Sequence, residues 1–162
     1  MHGNYEEEVK FKDAEKTLTN FETTHKKRAA SCFNCGLGCK SIISFPNGQY
    51  ASIKCQSYFN FMFAIKICDI RFSAQCFKLC ENYGLDVIST VYLTGFAIDL
   101  YQRGILTHQD TGGLILKWQD RNVAFSMIEK IANREDIGNI LANGVVEASK
   151  EIGKGPKNTL II

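Results

Sequence analysis

Residues 28–40 read Arg28-Ala29-Ala30-Ser31-Cys32-Phe33-Asn34-Cys35-Gly36-Leu37-Gly38-Cys39-Lys40. Three thiols fall within eight residues, spaced Cys-x2-Cys-x3-Cys. Spacings this short let one tight loop aim several sulfurs at a single centre. Gly36 and Gly38 give the loop backbone conformations that other residues resist. Thiolates ligate both iron–sulfur clusters and zinc. A structural zinc usually draws two pairs of ligands, the second a further Cys-x2-Cys or a His pair downstream. The histidines His2, His25 and His108 form no such pair. Three close cysteines with one distant fourth is the commoner iron–sulfur arrangement. The residues alone rank a cubane cluster first and leave zinc, or plain buried cysteines, as alternatives.

Working outward, 162 residues suggest one domain. A compact chain of this size buries most of its apolar surface. Nineteen basic and 17 acidic residues leave a net charge of +2. That balance, with no basic stripe carrying interleaved aromatics, argues against a dedicated nucleic-acid binder. Seven cysteines is an odd count, and clustered thiols without a signal peptide point to a reducing compartment. The start, Met1-His2-Gly3-Asn4-Tyr5-Glu6-Glu7-Glu8, has no apolar h-region. No uncharged apolar run reaches the roughly 20 residues of a membrane span. A cytoplasmic protein of an oxygen-poor cell is expected.

Residues 1–27 are polar and carry mixed charge, with a thin apolar stripe at Phe11, Leu18 and Phe21. They read as a solvated helix or arm. The basic run His25-Lys26-Lys27-Arg28 reads as solvated surface or as a positive flank for an anionic cofactor. Past the cysteines, Ser41–Phe45 and Gln49–Ile53 flank Pro46-Asn47-Gly48 and predict a hairpin. The aromatic-rich stretch 54–63 reads as a buried wall or a cofactor pocket.

A helix is predicted over 69–83, with Ile70, Ala74, Phe77, Cys80 and Tyr83 on one stripe, Asp69 as N-cap and Gly84 as terminator. A second runs from Asp86 or Ser89 to Arg103 and stops at Gly104. It is apolar nearly all round, as befits a helix inside a larger protein. Thr107–Gly113 reads as a loop and Leu114–Trp118 as a short extended piece. Asp120 caps a third helix through Asn133. A fourth helical stretch covers Ile137–Ile152 and breaks near Gly144. Gly153-Lys154-Gly155-Pro156 ends regular structure.

Three later stretches bear on family. They are Cys80-Glu81-Asn82-Tyr83-Gly84-Leu85-Asp86-Val87-Ile88-Ser89, then Phe96-Ala97-Ile98-Asp99-Leu100-Tyr101-Gln102-Arg103-Gly104, then Ile128-Glu129-Lys130-Ile131-Ala132-Asn133-Arg134-Glu135. With the cysteine loop before them, this order resembles the tungsten-dependent aldehyde:ferredoxin oxidoreductase family over roughly residues 28–155. The resemblance implies a mainly α fold of that type, with a short β-hairpin after the cysteine loop. It implies that Cys32, Cys35 and Cys39 hold one [4Fe-4S] cluster, the fourth cysteine coming from a later repeat of the Gly-Leu motif. The family's Asp-x-x-Gly-Leu-Asp pterin contact falls on Glu81, Gly84, Leu85 and Asp86, where Glu81 lengthens the reach by one methylene.

Family members are several times longer and open with a β-rich domain that cradles two pterins, so the chain reads as a fragment. Residues 1–27 would be an arm and 28–162 a helical unit contacting cluster and pterin. Where the aldehyde enzymes tend to carry Gly-Pro-Glu-Tyr-Glu, this chain has Tyr50-Ala51-Ser52-Ile53-Lys54-Cys55-Gln56-Ser57. That looks more like the tungsten subunit of ATP-independent (class II) benzoyl-CoA reductases, in which a protein cysteine ligates tungsten, and Cys55 is the candidate. The implied cofactors are the cluster and a tungsten or molybdenum bis-pterin. The implied partners are ferredoxin or an iron–sulfur electron-transfer subunit, and an aldehyde or aryl-CoA substrate. The rival readings are a non-catalytic iron–sulfur electron-transfer module and a zinc-stabilised interaction domain.

Overall fold

The computed structural model describes residues 26–45 and 47–153; the side chains of residues 26, 27 and 55–58 lie outside the description. The expected arm over residues 1–25 and the chain after Gly153 also lie outside it. Strands β1 (Lys26–Ala30), β2 (Lys40–Ser44) and β3 (Tyr50–Lys54) form an antiparallel sheet in that order. The β2–β3 hairpin is the predicted one. Its turn is closed by Phe45 N–H to the Gln49 carbonyl at 2.8 Å and Gly48 N–H to the Phe45 carbonyl at 3.0 Å. Gly48 adopts φ 78° there, a conformation open to glycine at little cost.

Strand β1 was not expected. It begins at Lys26, within the basic run that reads from sequence as solvated surface or a positive flank. Its sequence has no β-branched residue, and its strand form comes from pairing with β2, where Ala29 faces Ser41 and Ala30 faces Lys40.

Six helices follow among the described residues: α1 (Cys55–Ile65), α2 (Ile70–Asn82), α3 (Val87–Gln102), α4 (Arg121–Asn133), α5 (Ile137–Leu141) and α6 (Val145–Gly153). The caps are largely those read from sequence. Asp69 accepts from Phe72 N–H, Asp86 from Ser89 N–H, and Asp120 from Asn122 and Val123 N–H. Each satisfies first-turn donors that the helix leaves unpaired. Gly84, Gly104 and Gly144 take positive φ, and Gly144 separates α5 from α6 where the break was expected. The aromatic stretch is helix α1. It lacks a side-chain N-cap and ends at Lys66 in the left-handed region, φ 59°. Leu114–Trp118 joins no ladder. Leu116 is fully buried and its carbonyl takes a hydrogen bond from Gln102 Nε2 at 2.7 Å.

The main core gathers α1 to α6 around Phe61, Phe72, Ile98, Leu100, Leu116 and Met127. A second cluster, Ile43, Phe45, Ala51 and Ile53 with Ile70 and Ala74, seats the sheet on α2. The apolar α3 finds its surroundings within these residues: Val91, Leu93, Ala97, Ile98 and Leu100 are buried, while Ile88 and Tyr92 remain exposed. No helix among the described residues is long and apolar enough to cross a membrane.

Candidate metal and cofactor site

The register brings the site elements to one end of the sheet. Ala30 pairs with Lys40, and Lys40 with Lys54. Residues 31–39 leave from this row, and Cys55 follows it. Cys39 and Cys55 therefore each lie one residue past the last cross-strand pair.

The cysteine loop opens with a turn in which Cys35 N–H donates to the Cys32 carbonyl at 3.1 Å. Asn34 and Gly38 have φ near 57° and 56°. Asn tolerates the left-handed region better than most residues, and Gly adopts it freely. Cys32 and Cys39 are exposed and Cys35 is half-buried. Phe33 and Leu37 stand wholly in solvent, at 102% and 83% exposure. Among the described residues, no three His, Cys, Asp or Glu side chains gather closely enough to hold one metal ion. A tetrahedral zinc site, with Zn–S near 2.3 Å, would need its sulfurs only ~3.8 Å apart. A cubane binds each thiolate at a different iron corner and spreads them more widely. The donor set, three thiols on one accessible loop, is one that an iron–sulfur cluster or a zinc ion takes.

The remaining cysteines divide by burial. Cys55 opens α1, and its side chain is outside the description. Burial pushes the Cys80 thiol up to about 12, with the Asp86 carboxylate adding to the rise. Cys76 is raised further, by burial and then by Cys80. Both belong to the core and are poor thiolate donors. Cys68 lies past the far end of α1, with its thiol 3.8 Å from Met62 Sδ.

Glu81 lies in the last turn of α2, and Gly84, Leu85 and Asp86 form the α2–α3 turn. Leu85 N–H donates to the Cys80 carbonyl at 2.9 Å and Gly84 N–H to that of Glu81 at 3.1 Å. Gly84 has φ 69°, with open space where a side chain would begin. The Ser89 backbone N–H, then its hydroxyl, hold the Asp86 carboxyl below the usual carboxylate range, and Lys54 contributes. An ionised, exposed carboxylate beside an open glycine fits a hydrogen bond from a pterin amine.

Helices α1 and α3 run in the same direction, α1 from the sheet end and α3 from the Asp86 turn. Tyr92 donates to Asn60 Oδ1 at 3.4 Å, and one turn on, Gly95 lies against the Ala64 carbonyl. Asn60 is buried, and its Nδ2 finds no partner among the described residues. Sequence reasoning missed this amide and the Lys40–Lys54 pair. The register alone reveals the second, and no periodicity flags the first. His108 is exposed in its turn, away from the core.

The sequence model of the family "Aldehyde ferredoxin oxidoreductase, domains 2 & 3" matches residues 1–161. An aliphatic sulfonate oxidoreductase, WOR-like subunit, of Pyrococcus furiosus is 32% identical over 93% of this chain and 25% of its own length. A tungsten-containing aldehyde ferredoxin oxidoreductase of Thermococcus kodakarensis is 31% identical over 72% of this chain and 20% of its own. The solved active-site complex BamBC of benzoyl-coenzyme A reductase, in complex with 1,5-dienoyl-CoA, superimposes with a TM-score of 0.69 at 33% identity. That match covers 87% of this chain and 20% of the BamBC chain. The chain thus spans a quarter or less of these relatives.

Proposed function

The chain belongs to the aldehyde ferredoxin oxidoreductase family, and from that footing we propose that it is the cluster-holding part of a tungsten oxidoreductase. Its reaction would be aldehyde oxidation or a benzoyl-CoA reductase-like reduction, carried out in the cytoplasm of an anaerobe. Residues 28–162 act in this reading as one unit contacting cluster and pterin, with 1–27 as an arm. When bound, a tungsten bis-pterin supplies two-electron chemistry and a [4Fe-4S] cluster relays single electrons toward a ferredoxin or an iron–sulfur subunit.

The chain's own residues have distinct tasks. Cys32, Cys35 and Cys39 give three thiolates to the cluster, and the positive φ at Asn34 and Gly38 lets so short a loop turn between them. Asp86, kept ionised, would accept a hydrogen bond from the pterin amine. Gly84 keeps the approach clear, and Glu81 and Leu85 flank it. Cys55 enters at the start of α1 as the candidate tungsten ligand. What supports the reading is the sheet end from which the thiol loop leaves and at which Cys55 begins α1, with α3 running parallel to α1 from the Asp86 turn.

Anaerobic reconstitution with iron and sulfide tests it. Wild type is expected to show broad iron–sulfide absorption with matching iron and sulfide. Cys32→Ala, Cys35→Ala or Cys39→Ala should each lower iron content, while Cys76→Ala should not. Stoichiometric zinc without sulfide would overturn the assignment in favour of a zinc-stabilised domain.

A further inference from the structure

We propose that the cleft between the β2–β3 turn, α2 and α4 binds a small zwitterion, an aromatic α-amino acid, with its carboxylate on Lys78, its ammonium on Glu129 and its ring over Phe45 and Phe125. None of these residues has a task in the cluster and pterin reading, and the proposal stands apart from it.

Three observations converge. First, the cleft has room for such a ligand. Its volume is about 450 Å³, within the range of small-molecule sites. It opens at the turn end of β2 and β3, beyond the Ser44–Tyr50 pair, whereas the cysteine loop leaves from the Lys40–Lys54 row at the other end. Second, its floor is apolar and held in place. Phe45 is buried in the cluster that seats the sheet on α2, and the Phe125 ring meets Phe72 edge-to-face at 5.1 Å. Third, its walls carry opposite charges that do not pair with each other. Lys78 Nζ donates to Gln49 Oε1, a neutral acceptor, at 3.4 Å. Gln49 is itself tied to the turn by its N–H to Asn47 Oδ1 at 3.1 Å. Across the cleft, Glu129 has no hydrogen-bond or ion-pair partner among the described residues. Its neighbours three and four residues away on α4 are Phe125, Ser126, Ala132 and Asn133, so the helix supplies it no cation.

A cation and an anion on facing walls above an aromatic floor match a molecule that carries both charges beside a ring. Its carboxylate takes charge-assisted hydrogen bonds from Lys78, and its ammonium gives them to Glu129. Its ring packs on Phe45 and Phe125. The side-chain amides of Gln75 and Asn82 lie on the same stripe of α2 as Lys78 and meet the ligand's remaining donors and acceptors. A simple anion or cation would satisfy one wall only.

The test is an NMR titration of the 162-residue chain with L-phenylalanine, followed by backbone amide shifts. Saturable shifts at Gln49, Lys78 and Glu129 are expected, with a Kd of about 1–10 mM because ion pairs open to water contribute little. Phenylacetate lacks the ammonium, phenethylamine the carboxylate and glycine the ring, and each should bind about threefold or more weaker. Lys78→Gln should weaken L-phenylalanine and phenylacetate about threefold or more and leave phenethylamine within about twofold. Glu129→Gln should weaken L-phenylalanine and phenethylamine and spare phenylacetate. Both side chains are at least partly exposed, and circular dichroism checks that each variant folds. Should one not fold, the truncated ligands on wild type decide alone. No saturable shift up to about 50 mM would overturn the proposal. So would glycine binding as well as L-phenylalanine, or a variant that affects every probe alike. Iron and sulfide are assayed separately. A chain that takes no cluster yet binds L-phenylalanine breaks the cluster assignment alone, and a full cluster without this binding breaks the cleft proposal alone.

Discussion

Asp136 occupies φ 47°, ψ −128°, a region that suits glycine and strains a residue with a Cβ. Its carboxylate pairs with Lys130 and presses on Gly112, where no side chain would fit. Strain of this kind costs about 1–3 kcal/mol. A partly exposed ion pair returns about 0–1, and a glycine adds about 0.5–1 of unfolded-state entropy. The strain is therefore the largest of the three. Asp136→Gly should leave stability unchanged or raise it by about 1 kcal/mol, read as a shift in urea midpoint at constant m-value. A loss beyond about 1 kcal/mol would show that the ion pair outweighs the backbone. Cys80 offers a second residue-level test. Its folded-state value, pushed up to about 12, stands above the ordinary 9.0. Between these values the unfolded chain gives up its thiol proton and the folded chain keeps it, so the unfolded state binds fewer protons. Stability should therefore be full below about pH 9 and decline from there toward 12. Cys80→Ala should flatten that alkaline limb in thermal melts at stepped pH, and an unaltered slope would discount burial as the cause.

At the scale of elements, Gly95 carries the closest approach of two helices. A Cβ there would run into the Ala64 carbonyl, which is backbone and cannot swing aside. Ala is the better helix former by about 1 kcal/mol, yet overpacking costs roughly 1–3 and here falls on rigid atoms. Gly95→Ala should destabilise by about 1–2 kcal/mol and loosen α1 against α3, seen as faster amide exchange along both. A stabilised variant would place the helices further apart than described. How much of this architecture could be read from sequence follows from where the information resides. Helices α2, α3 and α4 carry their own start signals in Asp69, Asp86 and Asp120, and α2 and α3 their stops in Gly84 and Gly104. The hairpin carried its turn. Strand β1 and helix α1 did not announce themselves. Lys26-Lys27-Arg28-Ala29-Ala30 becomes a strand only against β2, and α1 is rich in aromatics, uncapped by any side chain, and ended by a left-handed Lys66. Their form is set by tertiary pairing. The geometry of the candidate site was legible in part for the same reason. The cysteine spacing and the Glu81–Asp86 motif are local, whereas the meeting of loop and Cys55 at one sheet end depends on a register that spacing does not encode.

At the scale of the molecule, cluster and pterin make unequal demands on these 162 residues. The three thiols proposed for the cluster come from one loop anchored at both ends in a sheet, and that sheet is seated on α2 by its own apolar cluster. The loop therefore has a scaffold within the chain. A bis-pterin group must be enclosed on both of its pterins, because the protein's share in such chemistry is binding, orientation and exclusion of water. The described surface offers one contact turn, Glu81–Asp86, exposed and open above Gly84. Relatives that bear tungsten in their names are about five times the length matched here. Iron loading and tungsten loading should accordingly separate. Purified anaerobically from a tungsten-replete host, the 162-residue chain should carry iron and sulfide, hold no stoichiometric tungsten, and show no viologen-linked turnover of aldehydes or benzoyl-CoA. Metal analysis by mass spectrometry reads both elements in one sample. Tungsten at one equivalent would mean that the Asp86 turn and Cys55 suffice to enclose the group, and the division of labour drawn here would fall.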